Sequence, residues 1–455
     1  MAVDSSLPLS ITALLAIPVA GLPLAHRLGL RGPLLGAAGW LLGAAMLALL
    51  MLASSALQIR WSRGVLGVCW LLSAGVPPLV ARMIQGGAGE RRFTPMRPTT
   101  VPDIAAFVLA VGVCGFQVLF SLLQAVRVPL GSFDSWSLWE YKGRRFWLDA
   151  GLNGDFLRDH AVVFAHPAYP PLLPLLTAWV YTWIGHPDPA LIKPIYPLFF
   201  LALLLAFFAA LRARIGTRAS LLGTPLLALL PSLVAYAGSG LADVPLAAAL
   251  VAAASAFVAR REGPLPQPYI AAGLLLGVAL LTKRDAAFFA IAALPALWLL
   301  RGARWRTLLW VLLPAGLLAA PWYLYAWANR LPDRDFLPAT PHNLLTHAGR
   351  LGEIGRLFGL NLLALDEWGV LWFVLGALLV AGLVGRRLRA PGLLCLTVVP
   401  LLLYVLSLSL SAWPDYTLHV RTSLDRLIMV TAPFALWFVL EQIPAITVRQ
   451  HLAGT

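Results

Sequence analysis

Residues 131–171 have the sequence GSFDSWSLWEYKGRRFWLDAGLNGDFLRDHAVVFAHPAYPP, and they are the longest polar interruption in the first half of an otherwise apolar chain. The stretch contains an acid, Asp134, several tryptophans and basic residues, and a His-Pro-x-Tyr-Pro-Pro motif at its end. A polar, irregular segment between apolar helices is excluded from the hydrocarbon core of a bilayer. We therefore expect this loop to lie at a membrane surface and to carry the functional site.

The composition of the chain is that of a membrane protein. Its 455 residues are 60% hydrophobic and only 12% charged, about half the charge of an average soluble domain, and the mean hydropathy is +0.81. The net charge of +14 would suggest nucleic acid as a partner of a soluble domain. Here most arginines lie in short loops between apolar runs, which is the positive-inside pattern of membrane proteins. Membrane lipids are thus expected partners, and nucleic acid is not.

Hydrophobic runs predict an all-α, polytopic bundle. A bilayer core of about 30 Å requires about 20 helical residues, and about thirteen stretches approach that length. They are residues 7–25, 34–58, 65–84, 104–126, 192–212, 219–236, 244–260, 269–283, 286–300, 307–327, 367–385, 391–411 and 427–443.

Arginine clusters set the orientation of these predicted spans. They fall at alternate connections, as a chain that crosses the membrane repeatedly requires, at residues 91–97, 212–218, 260–261, 301–306 and 386–389. Such connections are cytoplasmic. Two long loops, residues 131–171 and 328–366, are therefore predicted on the extracytoplasmic side.

One apolar segment, residues 171–185, does not fit this alternation. If it crossed the membrane, every later arginine cluster would lie outside. It follows Pro167, Pro170 and Pro171 and contains Pro174, and its 15 residues correspond to about 22 Å of helix. A re-entrant or in-plane helix is the better interpretation.

Both long loops contain candidate interfacial helices. In the first, helical periodicity places aromatic residues opposite charged ones. The apolar stripe is Trp136, Trp139, Phe146, Trp147 and Ala150, with Lys142, Arg145 and Asp149 opposite. In the second, one face carries Leu344, Leu351, Ile354, Phe358 and Leu362. Helices of this kind lie in the headgroup plane, although Gly143 weakens the first assignment.

Charged residues accumulate at the predicted extracytoplasmic ends of the spans. Asp243 lies between two apolar helices in GSGLADVP, beside Gly238 and Gly240, where backbones approach closely. Lys283 and Arg284 follow an apolar run in LLTKRDAAFF, on the side where positive charge is disfavoured. Such a cost requires a compensating partner, which is either an acid of the protein or a bound phosphate.

A third group stands at the mouth of the last span, where HVRTSLDR contains His419, Arg421 and Arg426 and suggests an anion site.

The sequence has no Gly-rich phosphate loop, no His-Glu-x-x-His and no Gly-x-Ser-x-Gly motif. No cofactor is required by any motif. A divalent metal held by Asp134 and Asp243 is left open, because hard cations prefer carboxylates.

Taken in order, these motifs resemble the GT-C superfamily of polytopic glycosyltransferases, in particular the branch of the protein O-mannosyltransferases and the lipid A aminoarabinose transferase. The resemblance covers residues 104–443. It rests on the acid of FDSWSLWEYK, the proline-rich HPAYPPLLPLL and the later acid of GSGLADVP. It rests also on the pair Thr282–Lys283 and on the basic residues His419 and Arg421 at the mouth of the last span. Residues 1–100 are then an N-terminal three-span addition with a cytoplasmic linker, and residues 101–445 are the catalytic membrane domain.

The resemblance implies an enzyme that transfers a sugar from a polyprenyl-phosphate donor to an extracytoplasmic glycan, lipid or protein, with inversion. It makes Asp134 the general base and Asp243 or Glu140 the second acid. Many members have two adjacent acids in the first loop, whereas here Ser135 follows Asp134.

The same resemblance suggests two further sets of site residues. The donor phosphate would be bound by Lys283, Arg284, His419 and Arg421. The residues expected to contact the sugar or the acceptor are Trp136, Trp139, His166 and Tyr169. The protein would be a multi-pass inner or plasma membrane protein with an extracytoplasmic active site.

Two other functions remain compatible with the sequence. In a lipid or sugar transporter or flippase, the charged residues would line a path and no bond would change. In a non-catalytic assembly subunit, the first three spans would form the contact surface. The predicted spans are nearly free of charge, which favours the enzyme.

The predicted topology can be tested by labelling single cysteines at Ala190 and Arg214 in a variant without native cysteines. Because residues 171–185 should not cross the membrane, Ala190 should react from outside and Arg214 from the cytoplasm. Labelling of both positions from the cytoplasm would show that the re-entrant interpretation is wrong.

Overall fold

The structure is a computed structural model that describes residues 6–85, 100–258, 266–301, 305–333, 335–384 and 388–453. Arginine clusters at residues 91–97, 260–261 and 386–389 lie wholly or partly outside the described residues. Within the described part the chain is helical, and its only bridge between extended segments joins Phe336 to Ser411. The all-α fold class predicted from hydropathy is confirmed.

Twenty-one α-helices make up the described part. They are α1 Ser6–Arg27, α2 Gly32–Ala56, α3 Arg63–Gln85, α4 Val101–Arg127, α5 Tyr141–Leu148, α6 Gly154–Arg158, α7 Leu172–Ile184, α8 Pro189–Ile192, α9 Ile195–Ile215, α10 Thr217–Ala228, α11 Pro231–Tyr236, α12 Asp243–Val258, α13 Gln267–Thr282, α14 Ala286–Arg301, α15 Trp305–Ala328, α16 Pro341–Thr346, α17 Leu351–Leu362, α18 Leu365–Trp368, α19 Leu371–Leu383, α20 Pro391–Ser409 and α21 Tyr416–Ala453. A π-helix covers Ser135–Glu140, and 3₁₀-helices cover His160–Ala165 and Ala348–Arg350.

Eight helices in the described residues are long and apolar enough to cross a membrane, and each overlaps a predicted span. They are Ser6–Arg27, Gly32–Ala56, Arg63–Ala81, Val101–Arg127, Pro189–Ile215, Trp305–Ala328, Pro391–Ser409 and Tyr416–Ile443. Four predicted spans are shorter apolar helices, Asp243–Val258, Gln267–Thr282, Ala286–Leu299 and Leu371–Leu383. The chain is a multi-pass membrane protein.

The prediction of one continuous span over residues 219–236 is wrong. Helix α10 ends at Ala228, and α11 begins at Pro231. Proline disfavours helical backbone in the preceding residue, and Leu230 accordingly has extended backbone angles of φ −63° and ψ 120°. The break separates a twelve-residue helix from a six-residue helix.

Residues 171–185, predicted not to cross, form the thirteen-residue helix α7 and end at Gly185 with φ +86°. Eleven of the thirteen residues are buried, and the Nε1 of Trp179 donates to the carbonyl oxygen of Ala13 at 2.9 Å. At 1.5 Å per residue, α7 is only about 20 Å long. That length agrees with a re-entrant helix, and the topology stays a prediction.

The first predicted interfacial helix is split and turned differently from the prediction. The π-helix Ser135–Glu140 leads into α5. Phe146 is buried and Trp136 is 44% exposed, but Trp139 and Lys142 are both almost fully buried. Lys142 was expected on the polar face. Instead its Nζ donates to the carbonyl oxygen of His166 at 3.0 Å, because the loop folds back over α5.

The second predicted interfacial helix agrees better with its prediction. Helix α17 buries Ile354, Leu357 and Phe358 against α20 and α21. Its exposed side carries the ion pair of Glu353 with Arg356 at 2.7 Å. The amphipathic face predicted from the sequence is therefore the face that packs.

The first three helices pack directly on the rest of the bundle. Helix α2 contacts α9 and α13, and the ring of Trp40 lies edge-on to Phe199 at 5.4 Å between centroids. Helix α1 contacts α7. The division of the chain at residue 100 stays a prediction, because these helices could share a core with the rest of the bundle whether or not they are a separate addition.

Gly143 is required where α5 crosses the buried helix α7. A Cβ at this position would lie 2.4 Å from the Cβ of Thr177 and 2.8 Å from the carbonyl oxygen of Pro174. The close crossing of the two helices therefore depends on the missing side chain. This explains a mid-helix glycine that otherwise costs about 1 kcal/mol relative to alanine.

We predict that Gly143→Ala lowers the midpoint of thermal denaturation in detergent. The clash with backbone should outweigh the gain in helix propensity, with a net cost of about 1–3 kcal/mol. Gly355→Ala is the matched control, because a Cβ there meets nothing within 4 Å, and this variant should be as stable as the parent or more so. Equal midpoints for Gly143→Ala and the parent would contradict the prediction.

Candidate active site

Four helix ends bring two acids and two bases into one cluster. Asp134 follows α4, Asp243 begins α12 and Lys283 follows α13. Arg426 lies in the third turn of α21. The guanidinium of Arg426 donates to Asp134 at 2.5 Å and lies 4.0 Å from Asp243. The Nζ of Lys283 contacts Asp243 and Asp285, both at 2.8 Å.

Two glycines allow the turn before Asp243 to approach α4 and the first loop. A Cβ on Gly238 would lie 2.5 Å from the carbonyl oxygen of Ser121 in α4. Gly240 has φ +88°, and a Cβ there would lie 2.8 Å from the side chain of Leu130. The close backbone approach expected from GSGLADVP is confirmed, and it places Asp243 beside the loop that carries Asp134.

The two acids of this cluster differ in exposure. The side chain of Asp243 is 1% exposed and that of Asp134 is 30% exposed. Asp243 is thus a buried charge that needs its cations, since removing one partner of such a pair typically costs about 3–5 kcal/mol. Asp134 uses Oδ2 for Arg426, and within the described residues no hydrogen bond to its Oδ1 is found. The side chain of Asp134 therefore keeps a partly exposed surface beside its contact with Arg426.

A second charged group adjoins the first. Arg284 makes an ion pair with Asp333 of the second loop, and its guanidinium carbon lies 4.5 Å from the ring centroid of Tyr169. The Nδ1 of His166 contacts Asp335 at 2.7 Å. Burial alone would raise the pKa of Asp335, but the hydrogen bond and charge of His166 outweigh it and lower that pKa. The first and second loops therefore meet through charged side chains.

His419 closes the cluster on the side of α21. Its Nδ1 is 2.8 Å from the hydroxyl of Ser411, and its ring stacks on Trp413 with centroids 4.5 Å apart. Trp413 in turn donates to Asp335 at 3.4 Å. His419 is thus held inside a packed network and is 7% exposed.

Several predicted site residues lie elsewhere. Glu140 accepts from the hydroxyl of Tyr181 at 2.8 Å, on the face of the first loop that covers α7, and burial raises its pKa. Arg421 is exposed, on a different face of α21 from His419. Trp139 is 2% exposed and packs against Lys142 and Tyr169. Burial and the nearby charge of Arg284 lower the pKa of Lys142 to about 7.

Trp136 remains partly accessible, packed edge-on against Phe133 at 5.3 Å between centroids. Of the two partners considered for Lys283 and Arg284, an acid of the protein or a bound phosphate, the structure shows acids. Asp243 and Asp333, from distant parts of the chain, supply the partners.

The sequence placed Arg426 only in the suggested anion site at the last span, and its contact with Asp134 was missed. Periodicity contained the signal, because residues seven apart lie on one face of a helix, and His419 and Arg426 have that spacing. Arg421 is two positions from His419 and therefore points elsewhere.

An apolar cavity of about 440 Å³ lies between α13, α14 and α15, and Arg284 forms part of its wall. The other lining residues are Leu280, Ala287, Gly316, Ala319, Ala320 and Tyr323. Ala287 and Gly316 are exposed on the outer surface of the bundle. The cavity therefore joins an apolar, laterally accessible space to a single cationic group, an arrangement suited to an amphiphile with an anionic head.

Comparison with known proteins gives one match, over part of the chain. Residues 197–335, less than half of the chain, match the family model described as dolichyl-phosphate-mannose-protein mannosyltransferase. Asp243, Lys283, Arg284, Asp333 and Asp335 lie in the matched segment. Neither curated proteins nor solved structures gave a significant match. The predicted resemblance is confirmed over residues 197–335, which are similar to dolichyl-phosphate-mannose-protein mannosyltransferases, a GT-C family.

Proposed function

We propose that this protein transfers a sugar from a polyprenyl-phosphate donor to an acceptor on the extracytoplasmic side of the membrane. The observation that carries the proposal is the position of Asp134. It is a partly exposed carboxylate with one oxygen held by Arg426 and the other free of protein partners in the described part. Its charged cluster adjoins the group that contains Arg284, which lines the apolar cavity.

In the proposed reaction Asp134 is the general base. Its Oδ1 accepts the proton of an acceptor hydroxyl or amine as the acceptor atom bonds to the anomeric carbon of the sugar. The bond from that carbon to the phosphate oxygen breaks on the opposite side, and its electron pair leaves with the lipid phosphate. Displacement in one step inverts the anomeric centre.

Arg426 acts on Asp134 as a positioning residue. It fixes the carboxylate of Asp134 through Oδ2, while the nearby Asp243 balances the positive charge of the guanidinium. We assign the role of second acid to Asp243, as a structural counter-ion. Glu140 is not assigned this role, because it is engaged with Tyr181. The π-helix after Asp134 is of a kind often found at functional sites.

Arg284 is the main proposed ligand of the donor phosphate. It lines the apolar cavity that would take the lipid chain. The donor is a phosphodiester with one negative charge, and a second charge develops on the phosphate as the sugar leaves, so a guanidinium binds the leaving group more strongly than the donor. Lys283 adds positive potential, although it is engaged with Asp243 and Asp285. His419 lies nearby, and we replace Arg421 with Arg426 in this set.

For the sugar and the acceptor, we retain His166, Tyr169 and Trp136. Tyr169 supports Arg284 through its ring face, and Trp136 offers an accessible aromatic face. Trp139 is removed from this set because it is buried. The family name indicates a mannosyl donor and a protein acceptor for its members. A protein is accordingly our first choice of acceptor, ahead of a glycan or a lipid.

A labelled polyprenyl-phosphate sugar separates this function from the alternatives. An enzyme releases the label from the lipid when acceptor is supplied. A flippase moves the labelled lipid between leaflets of a vesicle with the sugar still attached, and an assembly subunit does neither.

We predict that Asp134→Asn retains binding of the donor but lowers turnover by about 10²–10⁴, the range attributed to general bases. Turnover is measured as release of sugar from the labelled lipid. Asp155→Asn is the matched control, because Asp155 is highly exposed and pairs only with Arg158 in the described structure. Turnover of Asp134→Asn within a few-fold of the parent would contradict the assignment, provided that its melting midpoint is unchanged.

We predict that Arg284→Gln weakens donor binding by about tenfold or more, since a hydrogen bond to a charged group contributes about 1.5–3 kcal/mol. Arg421→Gln is the matched control, because it removes an exposed arginine of α21. This variant should bind the donor as the parent does. Binding is measured with fluorescent donor lipid in detergent. If Arg421→Gln is impaired and Arg284→Gln is not, the phosphate site lies at the other face of α21.

A further inference from the structure

We propose that His166, Asp333 and Asp335 form a binding site for a divalent metal cation that connects the two long loops. Each residue offers one ligand atom, and these atoms all lie within 4.8 Å of one another. His166 comes from the first loop, and both acids come from the second. The site is distinct from Asp134 and Asp243, where the guanidinium of Arg426 stands against both acids.

The donor set determines the class of cation. One imidazole nitrogen and two carboxylates suit Mn²⁺ or Zn²⁺, whereas Mg²⁺ and Ca²⁺ prefer oxygen ligands throughout. Within the described residues, the group brings two carboxylates together: Asp333 is paired with Arg284, and Asp335 contacts the ring of His166.

Both anchoring residues are held in place by contacts outside the cluster. The carbonyl oxygen of His166 accepts from the buried Lys142. The carbonyl oxygen of Asp335 accepts from the backbone N–H of Ala412 at 2.9 Å. Asp333 is the most accessible of the three, with 31% of its side chain exposed. An ion can thus bind to two fixed ligands and recruit the third from the surface.

Recruitment of Asp333 has a consequence for Arg284, since the metal and the guanidinium would compete for the charge of one carboxylate. Metal binding would draw Asp333 away from the guanidinium and release Arg284 toward an anionic ligand. The metal would therefore increase the affinity of the cavity for an anionic head group without touching that group. This coupling, but not the metal site itself, rests on the proposed function.

The test uses the full chain in detergent, stripped with chelator and with any purification tag removed. Mn²⁺ and Zn²⁺ are titrated separately, without donor lipid, by electron paramagnetic resonance for Mn²⁺ and calorimetry for Zn²⁺. We expect the parent to bind one equivalent of at least one of these ions. Asp333→Asn, which changes the most exposed ligand, and Asp335→Asn should both lose that equivalent.

His342→Gln and Asp155→Asn are the matched controls, because they remove an exposed histidine and an exposed acid outside the cluster. Both should bind the ion as the parent does. Failure of the parent to bind either ion overturns the proposal whether or not the variants fold. The proposal is equally overturned if both aspartate variants bind like the parent, or if a control loses the same equivalent. Sugar transfer is not measured, so the outcome is independent of the proposed enzymatic activity.

Discussion

Arg426 stands between two carboxylates, one buried and one partly exposed, and the arrangement of the charged cluster depends on this contact. Its guanidinium reaches Asp134 at 2.5 Å and Asp243 at 4.0 Å, while Lys283 neutralises Asp243 from the other side at 2.8 Å. In a low-dielectric interior an unpaired charge costs several kcal/mol. The ends of α12, α13 and α21 are therefore held together with the first loop by mutual neutralisation. Each helix supplies a charge that would be unfavourable without the others.

This constraint explains why the bundle tolerates charge at the boundary of apolar helices. Helix α12 is almost entirely buried below Asp243, so the carboxylate cannot turn to water. Its position at the start of α12 is also favourable, because the N-terminus of a helix stabilises a negative side chain. The carboxylate of Asp134, in contrast, keeps accessible surface. Two acids of the same type thus obtain different properties from their surroundings, one as an internal counter-ion and the other as an accessible carboxylate.

The sequence predicted those parts of the molecule that follow from local pattern. Hydropathy located the apolar helices, and the break at Pro231 was missed because the flanking residues are as apolar as those of a span. The glycines before Asp243 correctly indicated a close backbone approach. Contacts between distant segments were beyond reach. The pairing of Lys283 with Asp243 spans 40 residues, and that of Arg426 with Asp134 spans 292.

Burial of amphipathic side chains was the other difficulty. Helical periodicity placed Lys142 on the polar face of α5, but α5 is covered on both sides, by α7 and by the returning loop. A periodic pattern reports which face is apolar and does not report whether the other face meets water. The placement of Lys142 on an exposed face failed for this reason, since it depends on the positions of neighbouring elements.

The exposed outer edge of the cavity beside Arg284 affects how a substrate would arrive. Ala287 and Gly316 border it on the outer surface of the bundle, next to exposed leucines of α15. A lipid could slide in sideways without leaving the hydrocarbon phase, so its encounter would be governed by diffusion in two dimensions and by its density in the leaflet. The polar partner would approach Asp134 from water. The two reactants would then reach one site from different phases, and neither would block the path of the other.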